Sequence, residues 1–471
     1  MKVDFNSNRV LLIDPPSHSW WWSVPSLGIG WIATSLEKIG FTVRIVDCQV
    51  TGGYKRKIAG LLKDYPIVGI SVTNGTISSA LEISGLIREN SPSTRIIFGG
   101  PHSTAIYDKL IPRYADIVVL GEGEDTIVEL MREDDLSRIK GIAYWDGTLK
   151  VNPRRPFIED LDRLGFPAWH LYDLNRYNLA YSKTPLATLI TSRGCPNRCI
   201  YCTKHIHGSE ARFRSLDNVL AEIDYLAGRF KVKEINLFDD GFGLDAGRVK
   251  QFCKKVIERR YKDLIFSIPN GIRADVGDYE MFKLMEKAGF YLISLGIDSG
   301  SQQVLNKINR DLSLEKANEN LGMINKTRMK VKLHFMIGLP FDTAETIKET
   351  VSIAKRMLAR NPCVFTASFL LALPLPQTRF YEIVERGGRF LCDLALESTN
   401  VYKGPVYEMG DLKSSDIGRM FARANRQVAI MPSFIWRNLK MGHKSLRFIP
   451  GAVKYLWDKL FHGGRLVERR A

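Results

Sequence analysis

The sequence has no uninterrupted apolar run near the roughly 18–20 residues that a membrane-crossing helix needs. The longest, VFTASFLLALPLP at 364–376, is short and carries prolines. The opening stretch, MKVDFNSNRVLLIDPP, puts charged and polar side chains where the apolar core of a secretion signal would sit, so no such signal is expected. Cysteine is scarce as well. Seven are present, an odd number, and three crowd into residues 195–202. That argues against a disulfide framework and for a reducing, cytoplasmic setting in which the cluster binds metal or reacts. Low-complexity tracts are missing. With 45% hydrophobic and 25% charged residues among 471, the composition is that of a globular protein with more than one domain. Net charge is +16, but Lys413 to Ala471 carries 13 Lys and Arg against three acids and so supplies ten of those charges. The remainder is only mildly basic, which excludes a protein that coats nucleic acid.

What is there is alternation. Short β-rich runs, VLLID (10–14), VRIVD (43–47), IVGISV (67–72), RIIFGG (95–100) and DIVVLG (116–121), are separated by helix-like stretches such as LGIGWIATSLEKIG (27–40) and ISSALEISGLIREN (77–90). The pattern predicts an α/β, doubly wound, flavodoxin-like domain over 1–135, with its ligand at the carboxyl ends of the strands. A proline-bearing connector over 136–183 follows, containing a short strand at GIAYW. A second alternation covers 184–395, with strands expected at LATLITSRG, EINLFDD, LIFSIPNG, YLISLGID, VKLHFMIGLP and FTASFLLALP. Six βα units in a row predict a partial (β/α)6 barrel, whose chemistry sits where the strands end.

Directly after the first of those strands comes SRGCPNRCIYCTKH (192–205), with Cys195, Cys199 and Cys202. Three thiolates do not close a tetrahedral zinc site, but they can hold three irons of a [4Fe-4S] cluster and leave the fourth iron open to another ligand. The competing reading is a zinc site completed by His205 or His207.

The Cys-x3-Cys-x2-Cys spacing, with Tyr201 before the last cysteine, resembles the radical S-adenosylmethionine (radical SAM) superfamily. The resemblance implies that the open iron binds S-adenosylmethionine and that cleavage of the sulfonium yields a 5′-deoxyadenosyl radical. It also implies cofactor contacts at the later strand ends: Tyr201; Asp239 and Asp240 in FDDGFG for the methionine ammonium, unless they cap the next helix; Arg273 in NGIRAD for its carboxylate; Asp298 and Ser299 in LGIDSGS for the ribose. Phe341 and Gln377 stand where the fifth- and sixth-strand signatures usually have glycine.

The N-terminal domain resembles the cobalamin-binding class of that superfamily, in which methylases and anaerobic cyclases occur. LIDPP, SVTNGTISSA, GGPHST and GEGEDTI carry the likeness. It implies cobalamin contacts at Ser71, Thr73, Gly99, Gly100, Ser103, Gly121, Glu122 and Gly123. A bare sheet domain that has lost its cofactor is the alternative. The Asp-x-His-x-x-Gly motif that would supply a histidine to cobalt is absent: none of the eight histidines follows an aspartate by two. His18 and His102 are the local nitrogen alternatives. The indole run in SHSWWW (17–22) reads either as an apolar cover for the corrin or as interdomain packing.

The expected activity is radical modification of an unactivated carbon of a small-molecule substrate, by methyl transfer from methylcobalamin. The alternative is cyclisation, rearrangement or oxidation without methyl transfer; a cobalamin or redox sensor is the non-enzymatic one. Methylthiolation is disfavoured because no second cysteine cluster exists for an auxiliary iron–sulfur site. An electron donor such as flavodoxin or ferredoxin is implied. The basic region 396–471 is expected to be helical. In SLRFIPGAVKYLWDKLF (445–461), Leu446, Ile449, Val453, Leu456, Trp457 and Leu460 recur at helical spacing beside Lys444, Arg447, Lys454 and Lys459. Such helices either close the open side of the barrel or bind an anionic membrane surface, with a hydrophobic or lipid-like substrate in the second case.

Overall fold

A computed structural model describes residues 8–17, 23–179 and 181–442. His18, the indole run and the stretch 445–461 lie outside the described residues. The first sheet contains β1 (Arg9–Asp14), β2 (Thr42–Asp47), β3 (Ile67–Ser71), β4 (Arg95–Gly99) and β5 (Ile117–Val119), all parallel in the order β2-β1-β3-β4-β5. Its strands read as near-continuous apolar runs because both faces are covered. Leu11, Ile13, Val68, Ile70, Ile96 and Phe98 pack on one face. Val10, Leu12, Ile67, Ile97 and Ile117 pack on the other. The strand expected at GIAYW joins this sheet: β6 (Ile142–Asp146) runs antiparallel to β5 and turns back as β7 (Thr148–Val151).

The second sheet begins with β8 (Leu186–Leu189). A two-stranded antiparallel ribbon, β9 (Ser192–Arg193) and β10 (Arg212–Phe213), then closes the base of the cysteine loop. The sheet continues with β11 (Glu234–Leu237), β12 (Ile265–Arg273), β13 (Phe290–Asp298), β14 (Lys330–Ile337) and β15 (Val364–Leu371). These six strands lie parallel in sequence order, with β8 and β15 at the two edges, so the barrel is partial. Its outer helices start on polar caps that satisfy free backbone N–H groups: Ser215 for Leu216–Arg229, Asp245 for Ala246–Arg259 and Thr343 for Ala344–Arg360.

After a small antiparallel ribbon, β16 (Gly388–Phe390) with β17 (Tyr407–Met409), helices Ser414–Ala429 and Pro432–Gly442 pack on β15. Asn425 Nδ2 reaches the Phe369 carbonyl and its Oδ1 the Phe369 N–H, each at 3.5 Å. Asn438 Nδ2 donates to the Phe365 carbonyl at 2.9 Å. Side-chain amides thus take the hydrogen bonds that a further strand would have made to this edge. For residues 414–442, therefore, the barrel-closing alternative describes the packing.

A candidate cofactor site between the two sheets

The carboxyl ends of both sheets face one cavity of about 900 Å³. Gly99, Gly100, Gly121 and Gly123 line it from the first domain, with Ser71 and Thr73; Cys195, Cys199, Tyr201, Cys202, Asp240, Arg273 and Asp298 line it from the second. The glycines matter sterically. Gly100 has φ +99°, and a Cβ there would lie 2.8 Å from the Val72 carbonyl oxygen.

The three cysteines are unbridged and sit in the loop that the β9–β10 ribbon closes. Asn197 Nδ2 donates to Cys195 Sγ at 3.3 Å. Lys204 Nζ braces the loop by donating to the Cys195 and Asn197 carbonyls. A hydrogen bond from Cys202, and then the charge of Arg310, whose Nη1 is 3.8 Å from Cys199 Sγ, bring the Cys199 thiol down to about 6 against the effect of burial. The same contact pushes Cys202 up. Three cysteines in one loop, with the Arg310 guanidinium beside Cys199 to balance thiolate charge, form a donor set that fits a cluster. Among the described residues no three His, Cys, Asp or Glu side chains converge on a single ion. Ligands that each hold a different iron have no need to converge. The zinc reading does fail: His205 Nε2 bonds the Pro101 carbonyl at 2.7 Å across the domain interface, and His207 Nδ1 pairs with Asp240 at 2.9 Å.

Several of the residues expected to contact cofactors have partners within the protein. Asp239 is buried away from the cavity; its Oδ1 accepts from Thr191 N, Thr191 Oγ1 and Ser192 Oγ at 2.7–2.9 Å, fixing the approach to the cysteine loop. Ser299 is buried against Thr350, and Ser103 donates to the Gly100 carbonyl; neither lines the cavity. The Arg273 fork is taken by Asp275, with Nη1 on Asn197 Oδ1 at 3.1 Å. Glu122 turns its carboxylate to Arg193 and Arg212. His102 is buried, with Nε2 on the Ala395 carbonyl at 2.9 Å, and does not reach the cavity. Asp240 faces the cavity while accepting from Gly194 N at 2.8 Å. The Tyr201 hydroxyl donates to Asp298 at 2.6 Å, and Asp298 pairs with Arg310.

Arg310, Asn197 and His334 line the cavity without having been anticipated. Arg310 follows Asp298 by twelve residues in KINRDLS, with no local pattern to single it out. His334 is the polar inward position of the alternating strand KVKLHFMI, and period-two reading of that strand would have found it.

Two family models match parts of the chain. The family model of the radical SAM superfamily matches residues 189–354, and that of the B12 binding domain matches 23–131. By these matches the chain carries a radical SAM region preceded by a B12-binding region. An uncharacterised methyltransferase of Pyrococcus horikoshii is 26% identical over 92% of this chain and 95% of its own. Cytidylyl-2-hydroxyethylphosphonate methyltransferase of Streptomyces wedmorensis is 26% identical over 89% of each. An anaerobic magnesium-protoporphyrin IX monomethyl ester cyclase of Rubrivivax gelatinosus is 27% identical over 74% of this chain and 65% of its own. In fold, the chain is similar to the radical S-adenosylmethionine methyltransferase TsrM of Kitasatospora setae, solved with cobalamin and a [4Fe-4S] cluster bound (TM-score 0.72, 17% identity, 96% and 99% of the two chains). It is also similar to OxsB, solved with aqua-cobalamin and S-adenosylmethionine bound (TM-score 0.73, 19% identity, 96% and 70%).

Proposed function

We propose that this radical SAM enzyme methylates an unactivated carbon of a small molecule, with a [4Fe-4S] cluster, S-adenosylmethionine and cobalamin as its cofactors. The observation that carries the reading is the shared cavity, in which the cysteine loop and the first domain's glycine loops face one another. When bound, the cluster supplies the electron that cleaves S-adenosylmethionine, and cobalamin supplies the methyl group. The chain's own part is to hold and to shield. Cys195, Cys199 and Cys202 each hold one iron; Arg310 balances the charge of the Cys199 thiolate and of Asp298. Asp240 is the carboxylate placed for an ammonium, and Ser71 and Thr73 are hydroxyls for a nucleotide tail. Trp31, Ile190, Phe238 and Leu370 in the lining keep water from a reactive carbon centre. Reducing equivalents come from a flavodoxin- or ferredoxin-like donor in the cytoplasm.

The test is anaerobic turnover of the reduced, reconstituted chain with deuteromethyl S-adenosylmethionine and metabolites of the neighbouring pathway. A product heavier by one labelled methyl group supports methyl transfer. A product altered without label establishes the second reading, cyclisation or oxidation, which the likeness to anaerobic cyclases favours.

No described helix is long and apolar enough to cross a membrane. Peripheral contact through 413–471 is a further part of the proposal, with a hydrophobic or lipid-like substrate drawn from the bilayer. Arg419, Arg423 and Arg426 stand beside Ile430, and Ile430, Ile435 and Trp436 are all exposed. Each basic residue near an anionic surface is worth about 1 kcal/mol. The full chain should sediment with phosphatidylserine-containing vesicles at low salt, and a variant with Ile430, Ile435 and Trp436 changed to Ser should sediment less. Equal sedimentation of the two would remove these side chains from the contact.

A further inference from the structure

Arg193 and Arg212 are direct cross-strand neighbours on the β9–β10 ribbon. Like charges placed opposite one another repel, and a ribbon this short has little else to hold it shut. An anion between the two guanidinium groups reverses the sign, and the first domain supplies one. Glu122 Oε1 accepts from Arg193 Nη1 at 2.9 Å and from Arg212 Nη2 at 3.0 Å; its Oε2 accepts from Arg212 Nη1 at 3.0 Å and from the Ile158 N–H at 2.7 Å. Glu124 takes Arg193 Nη2 at 2.5 Å, and the Trp31 ring covers the Arg193 guanidinium at 4.9 Å. The side chains of Arg193 and Glu122 are both only 3% exposed. Burial alone would favour their neutral forms. The Arg212 hydrogen bond and the Arg193 charge nevertheless hold the Glu122 carboxyl below its usual range, and the two glutamates hold Arg193 above its own. The network is therefore ionised, and within it only Arg212 Nε among the guanidinium nitrogens is buried without a hydrogen bond.

Its location gives it a function. Glu122 lies between Gly121 and Gly123, which line the cavity from the first domain, and Arg193 precedes Cys195 by two residues. One carboxylate thus joins the two halves of the cavity beside residues that line it from each domain. We propose that Glu122 is a positioning residue that registers the cysteine loop against the first-domain wall and so fixes the separation of the two cofactors. The inference rests on the reading that both cofactors occupy this cavity. His205 and Lys204 brace the loop further along, but the Glu122 contact holds its base.

Hydrogen–deuterium exchange of the full chain without cofactors tests the clamp independently of any loading. In Glu122→Gln, amides of residues 194–211 should exchange about tenfold or more faster, because a buried pair has lost its anion, while the β11–β15 sheet stays protected. Unchanged exchange in 194–211, or an increase spread over the whole chain, would overturn the clamp. The second readout is electron paramagnetic resonance of chain loaded with cluster and cobalamin. In the wild type, the reduced cluster should speed relaxation of the Co(II) signal. Glu122→Gln should load both groups yet show that enhancement weakened and dispersed; enhancement identical to wild type would contradict the proposal. Arg212→Lys keeps the charge and loses the two-pronged contact. It should shift both readouts in the same direction, and it decides the matter if Glu122→Gln does not fold. Failure of the wild type to bind cobalamin would sink the proposed function and leave the exchange result standing.

Discussion

Glu234 opens β11 with its carboxyl enclosed by the barrel and bonded to the Lys183 N–H, Ser267 and Tyr291. Burial pushes it up to about 7 from 4.5. A folded value above the unfolded one means stability that is fully present below pH 4.5 and is lost as pH rises through about 7. The loss amounts to about 3 kcal/mol. Glu234→Gln should remove that fall: urea midpoints at pH 5 and pH 8 should differ less in the variant than in the wild type, and equal differences would rule out Glu234 as the source. Residue-level chemistry was legible in the sequence where it was local. Three cysteines within one loop announce themselves by spacing. Asp240 and the cavity-lining glycines stood where strand ends predicted them, because strand ends are visible as pattern breaks. Asp239, Ser299 and Ser103 are turned to partners within the protein, which their places in the sequence do not show. Asp239 and Ser299 neighbour Asp240 and Asp298, which face the cavity, and adjacent side chains at a strand end point to different sides; Ser103 lies in the short helix Pro101–Ala105, of which only Pro101 lines the cavity. Arg310 was invisible because only the folded barrel brings it to Cys199.

The elements were read closely because parallel strands buried on both faces leave unmistakable apolar runs. Ile77–Asn90 coincides with the stretch expected to be helical. The GIAYW strand was seen but not its pairing, since an antiparallel edge strand can join either flanking sheet. Closure of the barrel edge was legible only as one of two alternatives. What decides it is one asparagine in each C-terminal helix, Asn425 in Ser414–Ala429 and Asn438 in Pro432–Gly442. Asn425 is 1% exposed and serves both backbone groups of Phe369. Asn425→Ala leaves those groups buried without partners, a cost of about 1–3 kcal/mol. A lowered urea midpoint, with faster amide exchange confined to β15 and the two C-terminal helices, is the expected outcome. Exchange unchanged in β15 would mean the edge is held by apolar packing alone.

At the scale of the whole molecule, the two sheets are joined by more than the connector. Ser78 and Ser398 exchange hydrogen bonds, Thr399 N donates to the Asn74 carbonyl at 3.1 Å, and Gln377 Nε2 reaches the Ala105 carbonyl at 2.9 Å. The segment after β15 therefore straps the first domain over the barrel mouth. Gln377, one of the two departures from the sixth- and fifth-strand signatures, belongs to that strap. Contacts of this kind run through backbone carbonyls and single hydroxyls, which carry no sequence signal, so the facing of the two domains could not be read in advance. Their facing is what makes one cavity of two strand-end surfaces, and it is the basis for treating the cysteine loop as a catalytic centre. The most direct test is production of 5′-deoxyadenosine from S-adenosylmethionine by the anaerobically reconstituted, reduced chain, beside Cys199→Ala treated identically. The account predicts formation by the wild type and none above background in the variant; equal formation by the two, or none by a wild type shown to carry its cluster, would contradict it.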